Sequence, residues 1–337
     1  MNMFIHGFFW FSRQTLIQHS CEKGGMEMRS FKPEMNTEAA LGYLRQIEGE
    51  GVSDVAPIDM GELSKVYSYT KNGREYVIHF KNDPETLKKV KFISDQYASC
   101  GVPMPRIFGI GTCGSAHYSI AEKAAGTPII SQAVTDIRGV LPDLVRQFTR
   151  LNQIRVEPFS GFGWIRPTGE GSSKTWTEFL ASTFEEEQEG FYCGWTALFE
   201  SSFLEKDVFE RIYAEMMERI GYAPEERYLV HGDFHLGNML SENHAVTGIV
   251  DWEMAMYGDF MFDLAVLHLW APKAQFPQRV REVWAEEGRS IPYFEERLLG
   301  YQLFKGLDGL RFYAKKGDKP AYDFTKNHLF ALLEQAE

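Results

Sequence analysis

The chain has 337 residues, which suits two lobes or a domain with a large insertion better than one small core. Against 47 Asp and Glu stand 35 Lys and Arg, a net charge of −12; this excludes a basic nucleic-acid face and leaves room for a cationic ligand. No apolar run reaches the ~18 residues of a membrane span, and the cysteines at 21, 100, 113 and 193 lack metal-finger or redox spacing, so a reducing, cytoplasmic setting is expected.

Residues 1–27 open with "MNMFIHGFFWFSRQ". The segment has no basic region and no small-residue cleavage site, so it does not read as a signal peptide. "EKGG" before Met26 and Met28 could be encoded by a purine-rich ribosome-binding sequence. Two readings stay open: a non-native upstream translation, or a real but poorly ordered extension.

From Asn36 the pattern turns helical, with Asn36 or Thr37 as cap and a stripe of Ala40, Leu44 and Ile47. "KVYSYT" and "YVIHFK" flank an Asn-Gly turn and read as a β-hairpin. Residues 84–99 read as a helix. The prolines of "GVPMPRIFGIG" force an extended path, and "AHYSIAEKAAG" is one more strand ending in a Gly-bounded joint. Residues ~50–125 thus predict a small sheet with one helix. Beyond Gly126 the helical patterns lengthen: "LPDLVRQFTRLNQI", "EKDVFERIYAEMMERIG" and an aromatic C-terminal region over 292–335. "SGFGWIRPTGEGSSKTW" between them reads as a Gly-rich loop.

The densest polar stretch is "YLVHGDFHLGNML", Tyr228 to Leu240. "YLV", "NML" and "TGIVD" read as short buried strands, which would gather Asp233, Asn238 and Asp251 at one sheet end. Three readings compete. Asp, Asn and Gly are common in solvated turns. His231, Asp233 and His235 alternate and could ligate a transition metal, as in a metallohydrolase. Phosphoryl transfer needs a carboxylate to take a hydroxyl proton and hard oxygen ligands for Mg²⁺; Asp233, Asn238 and Asp251 supply that set.

"HGDFHLGNML" followed by "GIVDWEMAMYGDFMFDLA" resembles the catalytic and metal segments of the aminoglycoside phosphotransferase family, relatives of the protein kinases. "MGELSKVYSY", "GREYVIHF", "GVPMPRIFGIG", "SGFG" and "TWTEFL" occur in the same order, so the resemblance covers about residues 50–310. It implies a protein-kinase-like α+β bilobal fold. A nucleotide-binding N-lobe of antiparallel sheet would span residues 28–125, and a larger helical C-lobe residues 126–337. It implies Mg²⁺- and ATP- or GTP-dependent O-phosphorylation of a small hydroxylated molecule, an aminoglycoside such as hygromycin B foremost. Macrolides, choline-like amines and sugar amines are the alternative acceptors, and a nucleotide-binding pseudokinase the alternative class. A monomer with no nucleic-acid or membrane partner is expected.

Carried over by position, the resemblance makes Asp233 the catalytic base and Asn238 and Asp251 the Mg²⁺ ligands. His231 becomes a buried scaffold residue and Asp263 a brace of the catalytic loop. Gly61 and Ser64 would cover the nucleotide phosphates, and Glu122 and Ala124 would hold adenine at the lobe joint. His235 and Glu253 would lie near substrate. Asp259 joins the acidic run Glu185–Glu189 as a candidate attractor of a cationic acceptor; the run also reads as a plain solvated face. One departure stands out. His79 occupies the place of the family's phosphate-binding Lys or Arg, and Lys81, on the same strand face, is its candidate substitute. Val90 falls where the partner carboxylate belongs, leaving Asp83, Glu85 or Asp95 to replace it.

Overall fold

The computed structural model describes residues 33–58 and 64–336. The expectations for residues 1–27 and for Gly61 lie outside them.

The first part of the chain folds around a five-stranded antiparallel sheet. Helix α1 (Thr37–Glu48) starts where Asn36 accepts the Ala39 amide proton at 2.8 Å. Strands β1 (Val52–Ile58), β2 (Lys65–Lys71) and β3 (Arg74–Lys81) follow, then helix α2 (Pro84–Tyr97), β4 (Ile107–Cys113) and β5 (Ala116–Glu122). The sheet order is β1-β2-β3-β5-β4. Asn72 and Gly73 both have positive φ, 51° and 72°, the geometry of the two-residue hairpin turn that Asn-Gly favours. On β3 the side chains alternate. Ile78 and Phe80 enter a small core with Leu44, Tyr67 and Tyr69, whereas Val77, His79 and Lys81 line a cleft on the other face.

A short strand, β6 (Thr127–Pro128), leads into helix α3 (Val134–Leu151). This helix starts seven residues before the expected Leu141 and runs through Pro142. The missing amide proton is tolerated because Val140, Leu141, Leu144, Val145 and Phe148 are all buried against the larger core. The presumed Gly-rich loop is in part a hairpin of β7 (Phe162–Ile165) and β8 (Gly171–Ser173). The alternation was hidden because the strands are short and β7 gains its register from another strand.

Then come α4 (Trp176–Ser182), α5 (Leu198–Ser201), α6 (Lys206–Ile220), β9 (Tyr228–Val230), β10 (Met239–Glu242), β11 (Ala245–Ile249) and β12 (Met256–Gly258). The chain ends with α7 (Met261–Trp270), α8 (Phe276–Glu286), α9 (Phe294–Lys316) and α10 (Lys319–Glu334). Helix α9 is buried along nearly its whole length and packs on α6, α7 and α10. The strands around the polar stretch do not share one sheet, as expected, but two. β9 belongs to the sheet β8-β7-β12-β9 and β10 to the sheet β11-β10-β6. The loop 231–238 crosses from one to the other.

Candidate active site

The crossing loop is held largely by bonds to its own backbone. Both oxygens of Asp263, on α7, accept main-chain protons, from His231 at 2.7 Å and Gly232 at 2.9 Å. Gly232 has φ +80°, and a Cβ there would come within 2.1 Å of the Met254 carbonyl, so only glycine fits. Burial pushes the Asp263 carboxyl up to about 7, against the pull of those two amide donors. His231 is fully buried. Its Nε2 donates to the Val250 carbonyl at 2.9 Å, and its Nδ1 accepts the Asp233 amide proton at 3.3 Å. Burial pushes its pKa down to about 4, so the ring is neutral, in keeping with a scaffold role.

Asp233 is buried. Asn238 Nδ2 donates to its Oδ2 at 2.8 Å and to its carbonyl at 3.1 Å. His235 Nδ1 accepts the Gly237 amide proton at 3.0 Å; the ring proton of the neutral form therefore sits on Nε2, 3.2 Å from the same Asp233 Oδ2. Burial works to raise the Asp233 pKa, but His235, as charge and as hydrogen-bond donor, and Lys305 on α9 bring it down to about 2. The result is an ionised carboxylate with one oxygen pinned. The other, Oδ1, has no hydrogen-bond partner among the described residues.

The Asn238 side chain spends its amide nitrogen on Asp233. No hydrogen bond among the described residues engages its oxygen. The Val250 amide donates to the Asn238 carbonyl at 2.9 Å. Asp251 follows two residues beyond β11 with left-handed backbone, φ 65°, and lines a cavity of about 420 Å³ between the five-stranded sheet and the second half of the chain. Donors of this kind, an amide oxygen and a carboxylate, suit Mg²⁺ rather than a transition metal. Among the described residues no cluster of three His, Cys, Asp or Glu has metal-binding geometry. The metallohydrolase reading thus finds no ligand set there.

The cavity brings together most of the expected nucleotide residues: Ser64, His79, Lys81, Glu122 and Ala124, with apolar walls from Val66, Val77, Met104, Ala121, Leu240 and Val250. Gly126 closes it at the joint, where φ +87° and the Ser241 carbonyl exclude a Cβ. His79 carries no charge at neutral pH, because burial and the neighbouring Lys81 push its pKa down to about 4. Lys81 is buried and ion-paired with Glu253. The carboxylates offered for that pairing are engaged elsewhere. Asp83 caps α2 through the amides of Glu85 and Thr86, Glu85 pairs with Lys88, and Asp95 pairs with Lys91. Glu253 faces the same cavity.

Asp259 is not presented to a ligand. It is fully buried; Arg297 and Tyr301 occupy both oxygens at 2.5–2.8 Å. The expected role in attracting a cationic acceptor is thereby overturned: its partner cation Arg297 lies on α9, far along the chain, where nothing local to Asp259 marks it. Glu185–Glu187 are exposed. Lys89 escaped notice altogether. It lies on α2, donates to the Glu253 carbonyl at 2.6 Å and sits 5.1 Å from the Trp164 ring; nothing local in "LKKVK" marks it.

Comparison with known proteins places this geometry. The sequence profile of the phosphotransferase enzyme family matches residues 54–301. The chain belongs to that family. The chain's resemblance to aminoglycoside phosphotransferases, read from its motifs, is matched by the relatives. Hygromycin-B 4-O-kinase of Escherichia coli is 27% identical over 281 residues, 83% of this chain and 80% of that one. The crystal structure of aminoglycoside phosphotransferase APH(4)-Ia shares the fold with a TM-score of 0.77 at 24% identity, covering 90% of this chain and all of the other. Aminoglycoside 2'-phosphotransferase-IIIa, solved as its GDP complex, superposes with a TM-score of 0.64 at 13% identity, covering 90% of this chain and all of that one. The phosphotransferase described here therefore has the bilobal α+β architecture that its sequence implied. No described helix is long and apolar enough to cross a membrane.

Proposed function

We propose that this phosphotransferase moves the γ-phosphoryl group of ATP or GTP to a hydroxyl of an aminoglycoside-type molecule such as hygromycin B. The observation that carries the reading is the Asp233 carboxylate. It is ionised, pinned at Oδ2 by Asn238 and His235, and unengaged at Oδ1 by any described residue. Such a group can accept the proton of an attacking hydroxyl as that oxygen bonds to phosphorus. Asn238 and Asp251 would hold Mg²⁺; bound there, the ion neutralises charge on the phosphate oxygens. Ser64 and Lys81 would meet the phosphates, and the apolar walls between Val66 and Val250 the base.

Residues 28–125 would act as the nucleotide lobe and 126–337 as the acceptor lobe, in a cytoplasmic monomer. The acceptor class rests on the kinship with hygromycin-B 4-O-kinase and on the solved complex of APH(4)-Ia with AMP-PNP and hygromycin B. The net charge of −12 favours a cation over a neutral acceptor.

The test is a panel of aminoglycosides, macrolides, choline-like amines and sugar amines, each incubated with ATP or GTP and Mg²⁺. The expected result is an aminoglycoside heavier by one phosphoryl group. A product from another class only would move the acceptor assignment. Nucleotide binding without any product across the panel would favour a pseudokinase.

A further inference from the structure

We propose that Lys81 and Glu253 form a clamp across the cleft. Lys81 meets the nucleotide phosphates, and Glu253 is the positioning residue that holds it there. The inference rests on the nucleotide reading of the cavity and adds to it a coupling between the two halves of the site.

The position vacated by a permanent cation, His79, lies one pleat from Lys81 on the cleft face of β3. Among the described residues of the same sheet and its helix no carboxylate is paired with Lys81; Asp83, Glu85 and Asp95 serve α2 itself. The counter-charge comes instead from 172 residues away. Glu253 stands two residues after Asp251, in the short turn Trp252–Met254 that follows it. Its carboxylate takes the Lys81 ammonium, and its carbonyl takes the Lys89 ammonium at 2.6 Å. One residue is thereby tied to β3 and to α2 at once. A buried ammonium is costly unless it is paired, so Lys81, with a side chain only 4% exposed, is held where Glu253 puts it. The backbone carrying Glu253 also carries Asp251. Placement of the phosphate-side cation and placement of the carboxylate two residues away are then one mechanical event rather than two.

The test is calorimetric titration of AMP-PNP, with and without Mg²⁺, into the full chain and into K81M, E253Q, the double variant and K81R. Each of K81M and E253Q should weaken AMP-PNP binding about ten- to hundredfold, the range for a lost charge-assisted hydrogen bond. The double variant should bind no worse than the weaker single one, because both remove the same unit. K81R keeps the charge and should stay within about fivefold of the wild type. In steady state, E253Q should raise KM for nucleotide while leaving KM for the acceptor unchanged. Should K81M fail to fold, Lys81→Gln takes its place with the same expected loss. Losses that multiply in the double variant, or wild-type affinity in all variants, would overturn the clamp. A loss confined to E253Q and absent without Mg²⁺ would make Glu253 a direct metal ligand and overturn it too. A wild-type chain that binds no AMP-PNP would instead remove the nucleotide reading itself.

Discussion

The two sides of the site are built by different means. On the C-lobe side, the loop from His231 to Asn238 is fixed by short-range bonds, many of them to its own backbone: Asn238 to the Asp233 carbonyl, Gly237 to His235, Asp233 to His231. On the N-lobe side, the buried cation Lys81 is held, among the described residues, by the carboxylate of Glu253, 172 residues further along the chain. A group proposed to take one proton at one atom needs a fixed position, and local backbone bonds give it. The proposed phosphate cation is instead positioned across the cleft, by a partner remote in sequence.

The contrast is sharpest at Asp233. Asp233→Asn removes the proposed base while keeping the size of the side chain. It should lower kcat by about 10²–10⁴-fold and leave nucleotide affinity and Tm near those of the wild type. Turnover within a few-fold of the wild type would break the assignment of the chemistry to the C-lobe side. Next in size is Asp259→Asn, which strips the counter-charge from buried Arg297. It should cost about 3–5 kcal/mol of stability, read by denaturant unfolding; an unaltered fold with a lost acceptor affinity would return Asp259 to the ligand side. Asp263→Asn leaves one of two buried amides, His231 or Gly232, without its acceptor. The expected loss is about 1–3 kcal/mol, with kcat falling alongside Tm as Asp233 loses its support.

The smallest effect belongs to the other side. His79 has a folded pKa depressed to about 4 from the ordinary value near 6.5. At pH 5 the unfolded chain therefore binds a proton there and the folded chain does not. The stabilisation is present above pH 6.5 and is lost as pH falls toward 4. His79→Gln should make the decline of Tm across that window shallower, whereas an unchanged slope would mean that the ring is protonated in place.

This division also explains what the sequence made readable. Asp233, Asn238, His231 and Asp263 stand within 33 residues, so a local motif marks them; the structure shows Asp263 bracing the loop and His231 buried within it, and the roles of Asp233 and Asn238 stand as proposals. The Asn-Gly hairpin and the caps at Asn36 were equally legible, because each depends on neighbours along the chain. The partner of Lys81 was not. The motif resemblance points Glu253 at substrate and leaves three nearer carboxylates as candidates for Lys81, since ion pairing is a matter of three-dimensional proximity that a single sequence does not encode locally. The same holds for Asp259 with Arg297, for Lys89, and for Pro142, where burial of the flanking helix overrides a local breaker.

One consequence follows from the loop's passage between two sheets. β9 hydrogen-bonds to β12 and β10 to β11 and β6, so the segment 231–238 is a seam between two sheets. The two bonds from Asn238 to Asp233 stitch that seam from within, and the spacing of the two side chains is therefore set by the loop itself rather than by either sheet.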